Sequence, residues 1–112
     1  MFIIYDEYEL LELFEAEPLV IATKEAGMFI YSKKFSTGIK ISLYLSVYER
    51  ECEISMCINE NGFYETSLCN VEYLRQEGKR LRIHQNDSET DYLISFYPSF
   101  FMKTEENGTS FQ

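Results

Sequence analysis

Histidine and paired carboxylates are the residues of this chain whose types and spacing suggest chemistry. His84 is the only histidine, so any catalytic triad or Cys–His pair must use it. In a β-strand it would point to the same face as Arg80 and Arg82, and we therefore expect it on a solvated face. Glu51 and Glu53 are spaced to project from one strand face as a carboxylate pair, an arrangement that hydrolyses glycosides or holds a hard cation. We favour the simpler interpretation, a solvated strand face.

The cysteines and glycines do not form a recognisable site. Cys52, Cys57 and Cys69 are odd in number and lack the C-x2-C spacing of zinc sites, so they predict free thiols in a reducing cytosol. The sequence contains neither a G-x-S-x-G elbow nor a glycine-rich phosphate-binding loop. We therefore expect no catalytic residues, no metal and no cofactor. A small enzyme that uses carboxylates or His84 stays open as an alternative.

Acidic residues outnumber basic ones by 19 to 10, which gives a formal net charge of -9. This field repels phosphate backbones and attracts basic proteins, so we expect no nucleic-acid partner. Four of the ten bases are Arg75, Lys79, Arg80 and Arg82, and we expect them to pair with acids of the helix or of neighbouring strands. No apolar run reaches the roughly 20 residues that span a bilayer, and the first 15 residues lack the basic region of a signal peptide. We therefore expect a cytoplasmic protein without a membrane partner.

A helix is predicted over about residues 7–16. Asp6 is a suitable N-cap, and Glu9 three residues later completes a capping-box pattern. Leucines and a phenylalanine lie along one side, glutamates lie along the other, and Pro18 prevents continuation. The first 17 residues hold six acids and no base.

From Leu19 onwards, hydrophobic residues recur at every second position, a pattern that predicts β-strands. The segments with this pattern are 19–22, 27–33, 39–47, 52–58, 63–68, 81–83 and 92–97. Asn61-Gly62 predicts a tight turn, because both residues tolerate positive φ. Residues 70–77 fit either a short helix or one arm of a hairpin, and residues 100–102 are apolar enough to fold back onto the core.

These elements predict an α+β domain in which the N-terminal helix packs on a mostly antiparallel sheet of about six or seven strands. Short turns between consecutive strands favour a meander. The alternative is a small, partly closed β-barrel. We expect a single domain over residues 1–103 and a frayed C-terminal tail over residues 104–112.

The polar side of the strand 39–47 contains Ser42, Tyr44, Ser46 and, just beyond it, Tyr48. Tyrosine beside serine suits protein binding, because tyrosine offers a large contact area at low entropic cost. The alternative is that these tyrosines are half-buried under the helix or under residues 100–102. The predicted partner-binding residues are the acids Glu9, Glu12, Glu15, Glu17, Glu49, Glu51 and Glu53 and the aromatics Tyr44 and Tyr48.

The acidic opening DEYELLELFEAEP and the later segment LRIHQNDSETDYLISFYPSFFM give the chain a resemblance to a known class of proteins. It resembles the bacterial immunity proteins that neutralise toxins of interbacterial competition, including contact-dependent inhibition. The resemblance implies one cognate toxin, often a nuclease, bound tightly in the cytosol, and the net charge of -9 predicts that this partner is basic. A phage-encoded inhibitor of a host nucleic-acid enzyme and a homo-oligomeric structural protein are the alternatives. The oligomeric state stays open.

Overall fold

The computed structural model describes residues 1–107, which form one α-helix, a short 3-10 helix and nine β-strands. The helix α1 is Glu7–Phe14, and the 3-10 helix is Lys24–Ala26. The strands are β1 Leu19–Val20, β2 Met28–Lys34, β3 Ile39–Ser46, β4 Glu51–Ile58, β5 Asn61–Leu68, β6 Val71–Glu77, β7 Arg80–Gln85, β8 Thr90–Ser95 and β9 Phe101–Glu106.

Helix α1 begins where the sequence predicted and ends two residues earlier. The Asp6 carboxylate accepts a hydrogen bond of 2.8 Å from the backbone N–H of Tyr8, as expected of an N-cap. Glu15 adopts a left-handed conformation with φ 57° and ends the helix. The Glu9 carboxylate accepts a hydrogen bond from the backbone N–H of Gln76 on β6. Glu9 therefore links the helix to a strand, and the predicted capping box is wrong.

The first sheet contains β1 to β5 in sequence order, with every neighbouring pair antiparallel. Strand β3 lies at its centre, and its alternation sets the two faces. Leu43 and Leu45 are fully buried, while Tyr44 between them is half-buried on the opposite face. We call this opposite side, which faces away from the core, the outer face of the first sheet.

The turn between β4 and β5 lies two residues before the predicted one. Asn59 and Glu60 carry positive φ angles of 49° and 69°, and Ile58 pairs with Asn61 across them. The Asn61-Gly62 pair instead opens β5, beside a register shift opposite Met56 and Cys57. The prediction of a turn at Asn61-Gly62 is therefore wrong, because Asn59 is an equally good turn residue and sets the register first.

The second sheet contains β6 to β9, again in sequence order and antiparallel. Within residues 70–77, Val71–Glu77 form strand β6, which resolves the ambiguity in favour of a hairpin arm that turns at Gly78. Strand β9 continues to Glu106, so regular pairing extends beyond Lys103, where we expected a frayed tail to begin. The rest of that predicted tail, residues 108–112, lies outside the described residues.

One hydrophobic core is shared by both sheets and the helix. Leu10, Leu13 and Phe14 of α1 are buried in it, and the Phe14 ring lies 5.4 Å from the ring of Tyr31 and 5.0 Å from that of Phe96. Burying a side chain such as Phe14 typically contributes about 1.5–3 kcal/mol. The helix therefore joins the two sheets through its apolar side.

The fold class and the N-terminal helix were predicted correctly, and both sheets are meanders. The single sheet of six or seven strands is wrong, because the described strands divide into sheets of five and four. The partly closed barrel is also wrong for the described part of the chain, since no strand pairing joins the two sheets there.

Candidate partner-binding site

The acids of the helical segment are mostly engaged within the molecule. Gln76 on β6 donates hydrogen bonds to both Glu9 and Glu12, through its backbone N–H and its Nε2 atom respectively. Glu15 forms an ion pair with Lys33 on β2, and this contact lowers the pKa of Glu15. Glu17 has no ion pair or hydrogen bond among residues 1–107 and is exposed. The structure therefore ties three of the four acids to neighbouring strands.

The outer face of the first sheet changes character along its strands. At one end Lys34 pairs with Lys40, and in the middle the Ser32 and Ser42 hydroxyls lie 3.1 Å apart. At the other end Tyr44 lies directly opposite Glu53. The face is thus basic at one end and both acidic and aromatic at the other.

We call the acidic and aromatic end, formed by Tyr44, Glu51 and Glu53, the β3–β4 acidic patch. Its three residues line one shallow cleft together with Ser67, which donates a 3.3 Å hydrogen bond to Glu53. In the described part of the chain, neither Glu51 nor Glu53 forms an ion pair. These carboxylates are consequently available to a basic partner.

Tyr48 and Glu49 lie in the turn between β3 and β4, just beyond the end of strand β3. The Tyr48 side chain is 61% exposed, and its ring lies against Gly27, where an added Cβ would meet the ring at 2.8 Å. The Phe2 ring approaches it edge-on at 6.5 Å. Glu49 accepts a 2.8 Å hydrogen bond from the buried hydroxyl of Ser46.

The helical acids and the β3–β4 acidic patch lie on opposite sides of the first sheet. Leu43 and Leu45 face the core that contains the apolar side of α1, and Tyr44 points the other way. The alternative that the helix covers Tyr44 is therefore wrong. The sequence-predicted residues form two separate groups, and one flat interface cannot include both.

The second sheet carries a charged cluster on its side away from the core. Arg82 lies at its centre and donates hydrogen bonds to Glu77, Asp91 and Glu105 over distances of 2.8–3.1 Å. Arg75 also pairs with Glu77, at 2.7 Å. As predicted, Arg82 pairs with acids of other strands. The same prediction is wrong for Arg75, whose partner Glu77 lies on its own strand β6, and neither Lys79 nor Arg80 forms an ion pair within residues 1–107.

The charges in this cluster hold one another in the ionised state. Hydrogen bonds from Arg82 and Arg75 lower the pKa of Glu77 against the effect of burial. Burial raises the pKa of Asp91, but hydrogen bonds from Asn107, His84 and Arg82 outweigh it, so the net pKa is lowered. The same acceptors, Glu77 first, raise the pKa of Arg82.

His84 belongs to this cluster and is only 8% exposed, so the expectation of a solvated face is wrong. Its Nδ1 atom lies 2.7 Å from Asp91 Oδ1, and its Nε2 atom lies 3.4 Å from Glu72 Oε1. The Tyr73 ring stacks on the imidazole at 4.9 Å. Both ring nitrogens therefore face carboxylates of the protein itself, an arrangement that suits a structural role.

Asp91 is the residue of this cluster that the sequence analysis missed. Arg82, His84 and the strand segments 81–83 and 92–97 were all recognised from the sequence, and Ile83 pairs with Tyr92 across the turn between these strands. The same register sets His84 opposite Asp91. Counting equal numbers of residues outward from the turn along both strands would have predicted the contact between His84 and Asp91 from the sequence.

The remaining candidates for chemistry lie apart from one another. Cys52 is buried, which raises its pKa to about 12, whereas Cys57 is half-buried and Cys69 is exposed. Residues 1–107 contain no cluster of three or more His, Cys, Asp or Glu side chains arranged to hold a metal ion. No helix in this range combines the length and the apolar character needed to cross a membrane.

Comparison with known proteins gave one type of match. No protein-family model and no curated protein sequence matches the chain. Among solved structures, it is similar to a chain of the contact-dependent growth inhibition toxin–immunity protein complex from Klebsiella pneumoniae 342. The TM-score is 0.79 at 25% sequence identity, and the match covers 94% of this chain and 98% of the other. The resemblance to toxin-immunity proteins is therefore confirmed, and it extends over nearly the whole fold.

Proposed function

We propose that this chain is an immunity protein that binds and neutralises the toxin of a contact-dependent growth inhibition system. The observation that carries the proposal is the likeness to the toxin–immunity complex, which covers nearly all of both chains. Function resides in sites rather than in folds, so the surface must supply the rest of the argument.

The net charge favours the immunity role over the toxin role. That complex contains two kinds of protein, and an acidic chain of net charge -9 suits the partner of a basic toxin. An opposite charge on the toxin would steer association and raise its rate towards about 10⁸ per molar per second at low salt. A nuclease is the preferred toxin, because carboxylates can fill a cleft that otherwise holds phosphates. The complex would form in the cytosol, without nucleic acid or membrane.

The β3–β4 acidic patch is the proposed centre of the interface. Its two glutamates are free of ion pairs in the described residues, and the half-buried Tyr44 offers a partly fixed aromatic ring between Ile30 and Glu53 of the neighbouring strands. Aromatic anchors with a charged surround are typical of tight protein interfaces. Tyr48 and Glu49 would extend the patch into the adjoining turn.

Co-expression with the toxin domain encoded next to this chain's gene tests the proposal. We expect cells that produce the toxin alone to stop growing and cells that also produce this chain to grow. The variant Glu51→Lys/Glu53→Lys should protect poorly. Glu25→Lys/Glu89→Lys, which changes the net charge equally at two exposed positions elsewhere, should protect like the wild type.

Two outcomes would contradict the proposal. The first is that cells expressing the adjacent toxin gene die although they also produce the wild-type chain at a matched level. The second is that expression of this chain alone stops growth, which would make it the toxin component. Comparable protection by both double variants would refute the location of the interface and leave the immunity role intact.

A further inference from the structure

A cleft of about 340 Å³ lies between α1 and the strands β1 and β2, on the core side of the first sheet. Its polar lining consists of Tyr5, Glu7, Tyr8, Glu17, Lys24 and Tyr31. Binding pockets for small molecules start at about 300 Å³, so the space suits one side chain or one small molecule. The cleft is separate from the β3–β4 acidic patch.

Tyr31 supplies an unpartnered polar group at the base of this cleft. The residue is only 3% exposed, and its hydroxyl makes no hydrogen bond within residues 1–107. No fully buried side-chain nitrogen or oxygen in that range lacks a partner, so the hydroxyl must be open to the cleft. A hydroxyl that opens into the cleft can accept a hydrogen bond from an N–H donor of a ligand.

Two carboxylates give the cleft its charge. Glu7 and Glu17 both line it and form no ion pair in the described residues. Burial raises the pKa of Tyr31 to about 12, and Tyr5, Glu7 and Glu17 add to the effect. Both glutamates that line the cleft therefore act electrostatically on the same phenol.

We propose that this cleft binds an arginine side chain of the toxin, an assignment that rests on the proposed function. A guanidinium is planar and cationic and has five N–H donors, so it can satisfy the Tyr31 hydroxyl and both carboxylates and stack on Tyr5 or Tyr8. An anion would be repelled by the two glutamates. The cleft therefore forms a second contact, on the side of the sheet opposite Tyr44, and a toxin that fills both must reach around the edge of the sheet.

Lys24 determines how strongly the cleft attracts a cation. It lines the same space but forms no ion pair with either glutamate in the described part of the chain. The lining thus carries two negative charges and one positive charge. Removing the Lys24 ammonium should strengthen cation binding, and removing either carboxylate should weaken it.

A titration without any toxin tests the chemistry of the cleft. Nα-acetyl-argininamide, its lysine analogue and the neutral citrulline analogue are added to protein labelled with carbon-13 in the tyrosine rings. We expect saturable shifts of the Tyr5, Tyr8 and Tyr31 signals, with the highest affinity for the arginine compound and an affinity about fivefold lower for the citrulline compound, because one exposed charge pair is worth up to about 1 kcal/mol. Glu17→Gln and Tyr31→Phe should weaken binding, and Lys24→Met should tighten it.

Glu25→Gln is the matched control, because Glu25 is an exposed neighbour of Lys24 that does not line the cleft. Equal binding of citrulline and arginine, or equal loss in Glu17→Gln and Glu25→Gln, would overturn the proposal. In a second experiment, Glu17→Gln and Tyr31→Phe are mixed with the toxin. Wild-type affinity in both would refute the cleft alone, whereas a wild-type protein that binds no toxin would refute the proposed function.

Discussion

The outer faces of the two sheets both carry clustered charges, but they use them differently. On the second sheet, Arg82 is surrounded by Glu77, Asp91 and Glu105, so the acids are neutralised within the molecule. On the first sheet, Glu51 and Glu53 form no ion pair among the described residues. The comparison shows that an acid's availability to a partner depends on its cross-strand neighbours.

This contrast also locates the protein's excess charge. The second-sheet cluster of Arg75, Arg82 and Lys103 with Glu77, Asp91 and Glu105 contains three bases and three acids. Because it is neutral as a group, the net charge of -9 must come from the rest of the chain. The second sheet is therefore expected to stabilise the fold, and the first sheet to meet the partner.

The largest expected effect is the loss of a buried charge from the second sheet. Asp91→Asn removes the carboxylate that Arg82 and His84 share, and leaves the Arg82 guanidinium partly uncompensated. Breaking a buried ion pair on one side typically costs about 3–5 kcal/mol of unfolding free energy. Urea unfolding measures this loss. Asp87→Asn, at an exposed turn position nearby, should change the free energy by less than about 0.5 kcal/mol. Equal effects of the two variants would show that the cluster does not stabilise the fold.

The next effect concerns the aromatic residues of the two faces. Tyr44→Ala should weaken toxin binding by about 2 kcal/mol, or roughly 30-fold in Kd, because aromatic anchors contribute strongly to interfaces. Tyr73→Ala on the second sheet removes a ring that stacks on His84, so it should lower stability and leave Kd unchanged. Calorimetric titration with the toxin measures both. A larger loss of affinity in Tyr73→Ala than in Tyr44→Ala would indicate that the interface lies on the second sheet.

Charge reversal tests whether position or total charge governs the association rate. Glu51→Lys/Glu53→Lys and Glu9→Lys/Glu12→Lys change the net charge by the same amount on opposite sides of the first sheet. We expect the first variant to slow association about tenfold at low salt and the second to have a smaller effect. Stopped-flow measurements at two salt concentrations check this, since about 1 M salt should reduce the difference. If the helical variant is the slower one, the acidic opening steers the partner instead.

The sequence contained enough information for most elements but not for their division into two sheets. The alternation of residues 39–47 set the buried and outer faces of β3, and Asp6 set the start of α1. The link at Cys69 and Asn70, where the chain leaves the first sheet for the second, is as short as a hairpin turn. Local pattern cannot distinguish a strand that pairs with its predecessor from one that starts a new sheet.

The candidate site was predictable only as a set of residue types. The alternation of side chains between the two faces of a strand correctly predicted that Tyr44 and Glu53 lie on a polar face, because this alternation depends only on the local sequence. Whether a given glutamate is free of hydrogen bonds and ion pairs depends on contacts between residues distant in sequence, such as Glu9 with Gln76 and Glu15 with Lys33. Those contacts follow from the packing of α1 against both sheets, which no spacing rule encodes.

The smallest expected effect is the pH dependence of stability, which separates the two faces without a partner. The pKa of Asp91 is lowered from its usual 3.8, and that of Glu77 from its usual 4.5. A carboxyl group whose pKa is lower in the folded state stabilises the fold at pH values above its unfolded pKa, and this contribution is lost as the pH falls through the folded pKa.

We therefore expect the unfolding free energy to decline from about pH 4.5 downwards, and to decline less steeply in Asp91→Asn, which lacks one of these carboxyl groups. Urea unfolding at pH 7, 5, 4 and 3 measures the slopes. Equal slopes in wild type and Asp91→Asn would mean that the second-sheet carboxylates are no better paired than those of the first sheet, and the distinction between the two faces would fail.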